Sequence, residues 1–179
     1  MRGQDSTGVD RELYRFTLGS GIGSGYPSQD GDVGFGGSIG FAFQKHNDVY
    51  ALDARVLGEL QIFDYSKVNN SISSVELNYG RGFKKNSFFS CVSAGIGWVT
   101  SVQKGKLLSR QGDWFSSVSS YEKITHHTIG FPISVKAFWV PLKFYGLGIE
   151  LFININSIKT FYGINLCHQF GKLKAKKDK

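Results

Sequence analysis

Between Thr128 and Phe170 three successive strand-length segments keep one side-chain phase apolar almost without a break. In Thr128–Val140 the odd positions read Ile129, Phe131, Ile133, Val135, Ala137 and Trp139, and the even ones Thr128, Gly130, Pro132, Ser134, Lys136 and Phe138. Leu142–Asn156 sets Tyr145, Leu147, Ile149, Leu151, Ile153 and Ile155 against Gly146, Gly148, Glu150, Asn154 and Asn156. Thr160–Phe170 sets Tyr162, Ile164, Leu166, His168 and Phe170 against Gly163, Asn165, Cys167 and Gln169. Successive side chains point to opposite faces of a strand, so each segment has one greasy face and one face rich in glycine, amide and charge. The pattern confines the chain to β-sheet. It leaves open whether the greasy face meets protein or lipid.

Eight such segments can be read, at approximately 13–24, 34–44, 48–63, 71–83, 87–102, 122–140, 142–156 and 158–170. Short links (Lys45-His46-Asn47, Lys84-Lys85-Asn86 and the Pro141 turn) alternate with longer ones (Gly25–Val33, Asp64–Asn70 and Gln103–Tyr121). Only the link near Ser157 departs from this by being short. Nearly all the connecting length therefore lies at one end of the sheet. With 23 glycines and only 3 prolines, the composition suits strands and tight turns. The expected fold is all-β, a single eight-stranded antiparallel up-and-down barrel over 13–171, with a flexible segment 1–12 and a basic tail 172–179. Pro132 lacks a ladder donor and predicts a bulge or distortion in the sixth strand.

No stretch approaches the roughly 18 uninterrupted apolar residues of a membrane helix, so any spanning structure must be a barrel. The polar phases hold Arg15, Asp53, Arg55, Glu59, Glu76, Lys136 and Glu150, nearly balanced in sign, among many small residues. That composition suits the narrow interior of an eight-stranded barrel, where such charges would pair and plug the lumen. On the apolar phase, aromatics gather at the short-link end: Tyr14, Phe41, Phe43, Tyr50, Tyr79, Phe83, Phe88, Trp139, Tyr145 and Phe170. They are expected to form a girdle at a bilayer interface, with Phe35, Trp98 and Tyr162 as a sparser ring at the other end. The expected arrangement is a transmembrane barrel with its apolar phase outward.

In Tyr79–Val99 (YGRGFKKNSFFSCVSAGIGWV) and in the closing hairpin ending TFYGINLCHQFGKL, the chain resembles the small outer-membrane β-barrels of Gram-negative bacteria. That group is typified by the transmembrane domain of outer-membrane protein A and its X-type relatives, and the resemblance spans about 13–173. It implies residence in the bacterial outer membrane, contact with its lipid and lipopolysaccharide, and recognition by the barrel-assembly machinery. Gly163, Leu166 and Phe170 look like a partial version of the terminal-strand signal read by that machinery. The lysine tail after Phe170 and Pro132 within the sixth strand depart from the group's pattern. Residues 1–12 are polar and carry no apolar core of a secretory signal, which is expected of a mature form or of a cytosolic chain.

The chemistry-bearing residues are sparse. Of the net charge of +7, the last eight residues supply four units: five lysines less Asp178. A solvated tail, with no nucleic-acid partner, is the expected reading. Cys91 and Cys167 have no metal-ligand spacing and are expected as free thiols on segments at opposite sides of the sheet. Gly19–Gly25 (GSGIGSG) lacks the Lys-Ser/Thr of a phosphate loop. His126-His127 is the only histidine cluster, and His127 near Ser101 or Ser120 could imitate the site of outer-membrane lipid A-modifying hydrolases or acyltransferases. Nothing in the spacing specifies base, nucleophile and orienting carboxylate together. No catalytic residue, metal or cofactor is therefore expected. The leading function is a monomeric, non-enzymatic outer-membrane barrel with a structural or surface-interaction role, any extracellular ligand engaging loop 103–121. A lipid-modifying enzyme and a soluble lipocalin-like carrier of a lipophilic ligand are the alternatives.

Overall fold

The computed structural model describes residues 12–25, 33–58, 70–113 and 116–173, with the side chains of 109–120 excluded. Eight strands follow in chain order: β1 (Leu13–Ser24), β2 (Val33–Lys45), β3 (Asp48–Gly58), β4 (Ser71–Lys85), β5 (Phe88–Asp113), β6 (Ser116–Trp139), β7 (Tyr145–Asn156) and β8 (Phe161–Gly171). Each pairs antiparallel with the next, and β8 returns to β1 from Arg15↔Gly171 to Ser24↔Tyr162, closing the barrel. Closure removes both sheet edges, so every strand of the wall has its backbone satisfied on two sides. Chain entry and exit lie at the end that carries the tight turns.

Two of those turns span only two residues, His46-Asn47 between the Lys45↔Asp48 pair and Asn86-Ser87 between Lys85↔Phe88. His46 and Asn86 hold φ of 55° and 54°, the left-handed geometry that lets a tight hairpin follow the twist of its strands. The β6–β7 link is longer than expected: Leu142–Phe144 are bends, and β7 starts at Tyr145. At the opposite end Asn156 folds the short β7–β8 link, its Oδ1 accepting from the backbone N–H of Ile158 and Lys159, both at 3.0 Å. After β8 the chain turns under the barrel, where Leu173 N–H donates to Lys143 O at 2.9 Å and the Leu173 side chain is buried.

Of the two outcomes expected at Pro132 the ladder shows the distortion, and it corrects the expectation for Gln103–Tyr121. Pro132 produces no bulge: β5 and β6 keep one register on either side of it, and pairing merely lapses between Ala94↔Ile133 and Gly97↔Gly130. The ring's missing donor costs local bonds, while the flanking pairs hold the alignment. Gln103–Tyr121 is not a loop. β5 and β6 continue as a two-stranded ribbon to Asp113↔Ser116, with irregularities between Lys104 and Ser109 on β5. Among the described residues this ribbon outruns its neighbours, because β4 stops pairing at Ser71↔Val102 and β7 at Gly130↔Asn156. The tip, with Trp114 and Phe115, lies outside the described residues, as do Glu59–Ile62 of the expected third segment.

Side-chain phase divides the wall cleanly. Leu77 is 64% exposed and Leu151 52%, whereas Glu76 and Glu150, their chain neighbours, are 0% and 1% exposed. Glycine makes room inside: a Cβ on Gly40 would lie 2.2 Å from Asp53 Oδ1, and one on Gly148 would lie 2.4 Å from the Phe138 ring.

Candidate functional site

Five of the expected interior charges meet at mid-barrel. Arg55 on β3 reaches Glu76 on β4 through Nε at 3.0 Å and crosses the lumen to Glu150 on β7 through Nη1 at 2.8 Å. Lys136 on β6 holds both oxygens of Asp53 at 3.0 Å and lies 3.3 Å from Glu150. Amides and a hydroxyl complete the carboxylate shells. Asn154 Nδ2 donates to Glu76 at 3.0 Å, Ser74 Oγ to Glu76 at 2.7 Å, Asn78 Nδ2 to Asp53 at 2.9 Å, and Asn165 Nδ2 to Glu150 at 3.0 Å. Charges taken this far from water persist only when paired and hydrogen-bonded in this way.

Arg15 does not join this network, contrary to expectation. It sits one layer nearer the tight turns, donates to Gln44 Oε1, and lays its guanidinium over the Phe89 ring at 3.6 Å. Its ladder partner is Ala42, whereas the register puts Asp53 opposite Gly40, two residues earlier on β2 and farther from the tight turn. Glu59 lies outside the described residues.

Sequence reasoning missed the apolar members of the interior. On the tight-turn side of the charges, Val49, Phe89, Cys91, Phe138, Val140, Cys167 and Leu173 form one buried cluster. On the other side Leu57, Ile72, Val99 and Phe161 form a second, with Phe152 packed against it. The signal was present for the strand residues, since Phe138, Cys167 and their strand neighbours lie on the phase already assigned inward, whereas Leu173 belongs to the segment expected as a basic tail. Both thiols are free. The charge layer is thus flanked by two apolar clusters, the one on the tight-turn side sharing its level with Arg15 and Gln44.

The expected girdle residues lie on the outer phase. Tyr14, Phe41, Tyr50, Tyr79, Phe83, Phe88, Trp139 and Phe170 are exposed, and Phe43 and Tyr145 are half-covered by their neighbours. Tyr14–Phe43, Tyr50–Tyr79 and Tyr145–Phe170 each pack with ring centroids 5.4 Å apart. Phe35, Trp98 and Tyr162 are exposed toward the other end.

The His127–Ser101 pair does not assemble. Ser101 is fully buried, while His127 is on the exterior, stacked on Trp98 and hydrogen-bonded to Thr100 Oγ1 at 3.0 Å. The sheet itself stands between Ser101 Oγ and the imidazole, and the Ser120 side chain is outside the described residues. His168 is likewise external, 2.9 Å from the Tyr145 hydroxyl. Among the described residues no group of three or more His, Cys, Asp or Glu is placed to hold a metal ion.

A closed eight-stranded barrel with an apolar exterior and a charged, side-chain-filled interior has the fold of the small outer-membrane β-barrels. Among solved structures, Neisserial surface protein A (NspA) matches with a TM-score of 0.60 at 9% identity, over 89% of this chain and 95% of that one. The N-terminal β-barrel domain of Pseudomonas aeruginosa OprF matches with a TM-score of 0.53 at 14% identity, over 88% and 96%. Ail, the attachment invasion locus protein of Yersinia pestis, matches with a TM-score of 0.52 at 9% identity, over 88% and 97%, in a complex with the heparin analogue sucrose octasulfate. At these identities the likeness is one of fold. No family model matches the sequence, and no curated protein matches it.

Proposed function

We propose that this protein is an integral outer-membrane barrel, non-catalytic and closed to bulk solute, that serves as a rigid scaffold for the β5–β6 ribbon as an interaction surface. One observation carries the reading: leucines and isoleucines crowd the exterior while Arg55, Lys136 and three carboxylates fill the interior. In water that arrangement forfeits the hydrophobic driving force and pays for charge burial as well; in lipid it satisfies both faces. A soluble carrier of a lipophilic ligand requires the inverse polarity at mid-barrel, so that alternative falls. The enzyme alternative loses one of its two motivating pairs, because Ser101 and His127 lie on opposite sides of the wall.

The ribbon supports the surface role. Lys106 and Lys123 are exposed on it, and Lys123 stands opposite Lys104, whose ammonium lies 5.7 Å from the Tyr121 ring centroid. Exposed ammonium groups gathered on one ribbon favour an anionic partner. Lipopolysaccharide phosphate is the partner this chemistry fits in an outer membrane, and the barrel-assembly machinery is the partner during insertion. Purified protein should need detergent or lipid to stay monomeric, and should give no large, steady channels in planar bilayers. Retention on lipopolysaccharide should fall in a Lys106→Glu/Lys123→Glu variant. Solubility without detergent overturns the membrane reading; steady conductance overturns the closed lumen; unchanged retention overturns the ribbon's role.

A further inference from the structure

The outer face is not evenly covered. At the tight-turn end one row across the sheet runs Phe83, Ser90, Ala137, Ile149 and Leu166, each directly opposite the next. Ser90 and Ala137 are its two short members, and over them the surface sinks into an open cavity of about 500 Å³. The next row toward the turn runs Lys85, Phe88, Trp139 and Leu147, so the cavity has aromatic and aliphatic walls and an exposed ammonium at its turn end. Its volume lies in the range of small-molecule sites, about 300–1,000 Å³.

We propose that this cavity binds one anionic glycerophospholipid from the leaflet facing the tight turns, an acyl chain lying over Ser90 and Ala137 and the phosphate at Lys85. The site rests on the membrane reading above. Charge complementarity selects the occupant: a hydrocarbon lining with its cations, Lys84 and Lys85, confined to the interfacial end matches a chain carrying a negative group at one end. A protein segment fits less well, because β4 to β8 are fully paired at this level and present no backbone groups for it to bond.

The test uses the full chain in nanodiscs of equal phosphatidylcholine and phosphatidylglycerol. Gentle extraction follows, with native mass spectrometry counting the lipid that stays bound. The wild type should retain one phosphatidylglycerol in preference to phosphatidylcholine. Ala137→Trp, and independently Ser90→Phe, should abolish retention while the barrel still shows a heat-modifiable gel shift. Lys85→Gln should lower the phosphatidylglycerol preference about fivefold, the factor one lysine contributes near an anionic leaflet. Equal retention of the two lipids, or full retention by both filled variants, would overturn the site. A chain that inserts without holding lipid sinks this proposal alone; a chain that never enters the nanodisc sinks the membrane reading and the site with it.

Discussion

Replacing Arg55 by methionine removes the one side chain that touches all three mid-barrel carboxylates, at 3.0 Å from Glu76, 2.8 Å from Glu150 and 3.7 Å from Asp53. Those three with Arg55 and Lys136 carry −3 and +2, a formal −1; the substitution makes it −2. Glu150 keeps Lys136, but Glu76 is left with the neutral donors Ser74 and Asn154. Methionine preserves contact with Phe152, over whose ring the guanidinium lies at 4.8 Å, so lost packing contributes little. Stranding a buried charge in this way costs about 3–5 kcal/mol. The second variant, Arg55→Met with Glu76→Gln, restores the formal −1 and should recover a substantial part of the loss. Urea unfolding in lipid vesicles, followed by tryptophan fluorescence, measures both. A loss of about 1 kcal/mol or less for Arg55→Met, the value of a solvated pair, would refute a dry, coupled network. So would a double variant less stable than the single one.

Arginine in place of Leu151 or Ile133, both exposed and mid-strand, should cost about 2–4 kcal/mol in the same vesicle assay, the midplane penalty for a lipid-facing charge. Gly148→Val should cost about 1–3 kcal/mol by overpacking, since its Cβ would fall 2.2 Å from Ala137 O and 2.4 Å from the Phe138 ring. Protease added to intact cells should cut the end of the β5–β6 ribbon first, because it stands beyond the paired wall. First cleavage at Lys84-Lys85 would place the tight-turn end, and not the ribbon, outside the cell.

What could be read along the chain were properties of a strand considered alone. Period-two alternation assigns each side chain to one of two faces, whatever the strand pairs with, so Glu76 and Glu150 could be placed together opposite Leu77 and Leu151 before any contact was known. Link lengths gave the up-and-down order, because a two-residue turn such as Asn86-Ser87 can join only antiparallel neighbours. The ribbon escaped this reading because Lys104, Gly105, Lys106, Leu107 and Leu108 do not alternate. Beyond the wall there is no lipid on one side and lumen on the other to impose two environments, and its strands are held by backbone bonds that any sequence can make.

Which inward residues meet was decided by closure. Arg55 and Glu150 are 95 residues apart and touch only because bringing β8 back to β1 wraps the wall around a shared lumen. Strand register then sets each side chain's height in that lumen, which is why Arg15 lands beside Gln44 and Phe89 instead of a carboxylate. A one-dimensional pattern carries face but not height. The inward phenylalanines are explained by height as well: away from the charge layer the lumen still has to be filled, and Phe89, Phe138 and Phe161 fill it without adding charges that would need partners. The sequence by itself therefore determined the strands, their faces and their order. The tertiary structure decided the network, its apolar layers and the reach of the ribbon, since each depends on distances across the barrel that exist only once it closes.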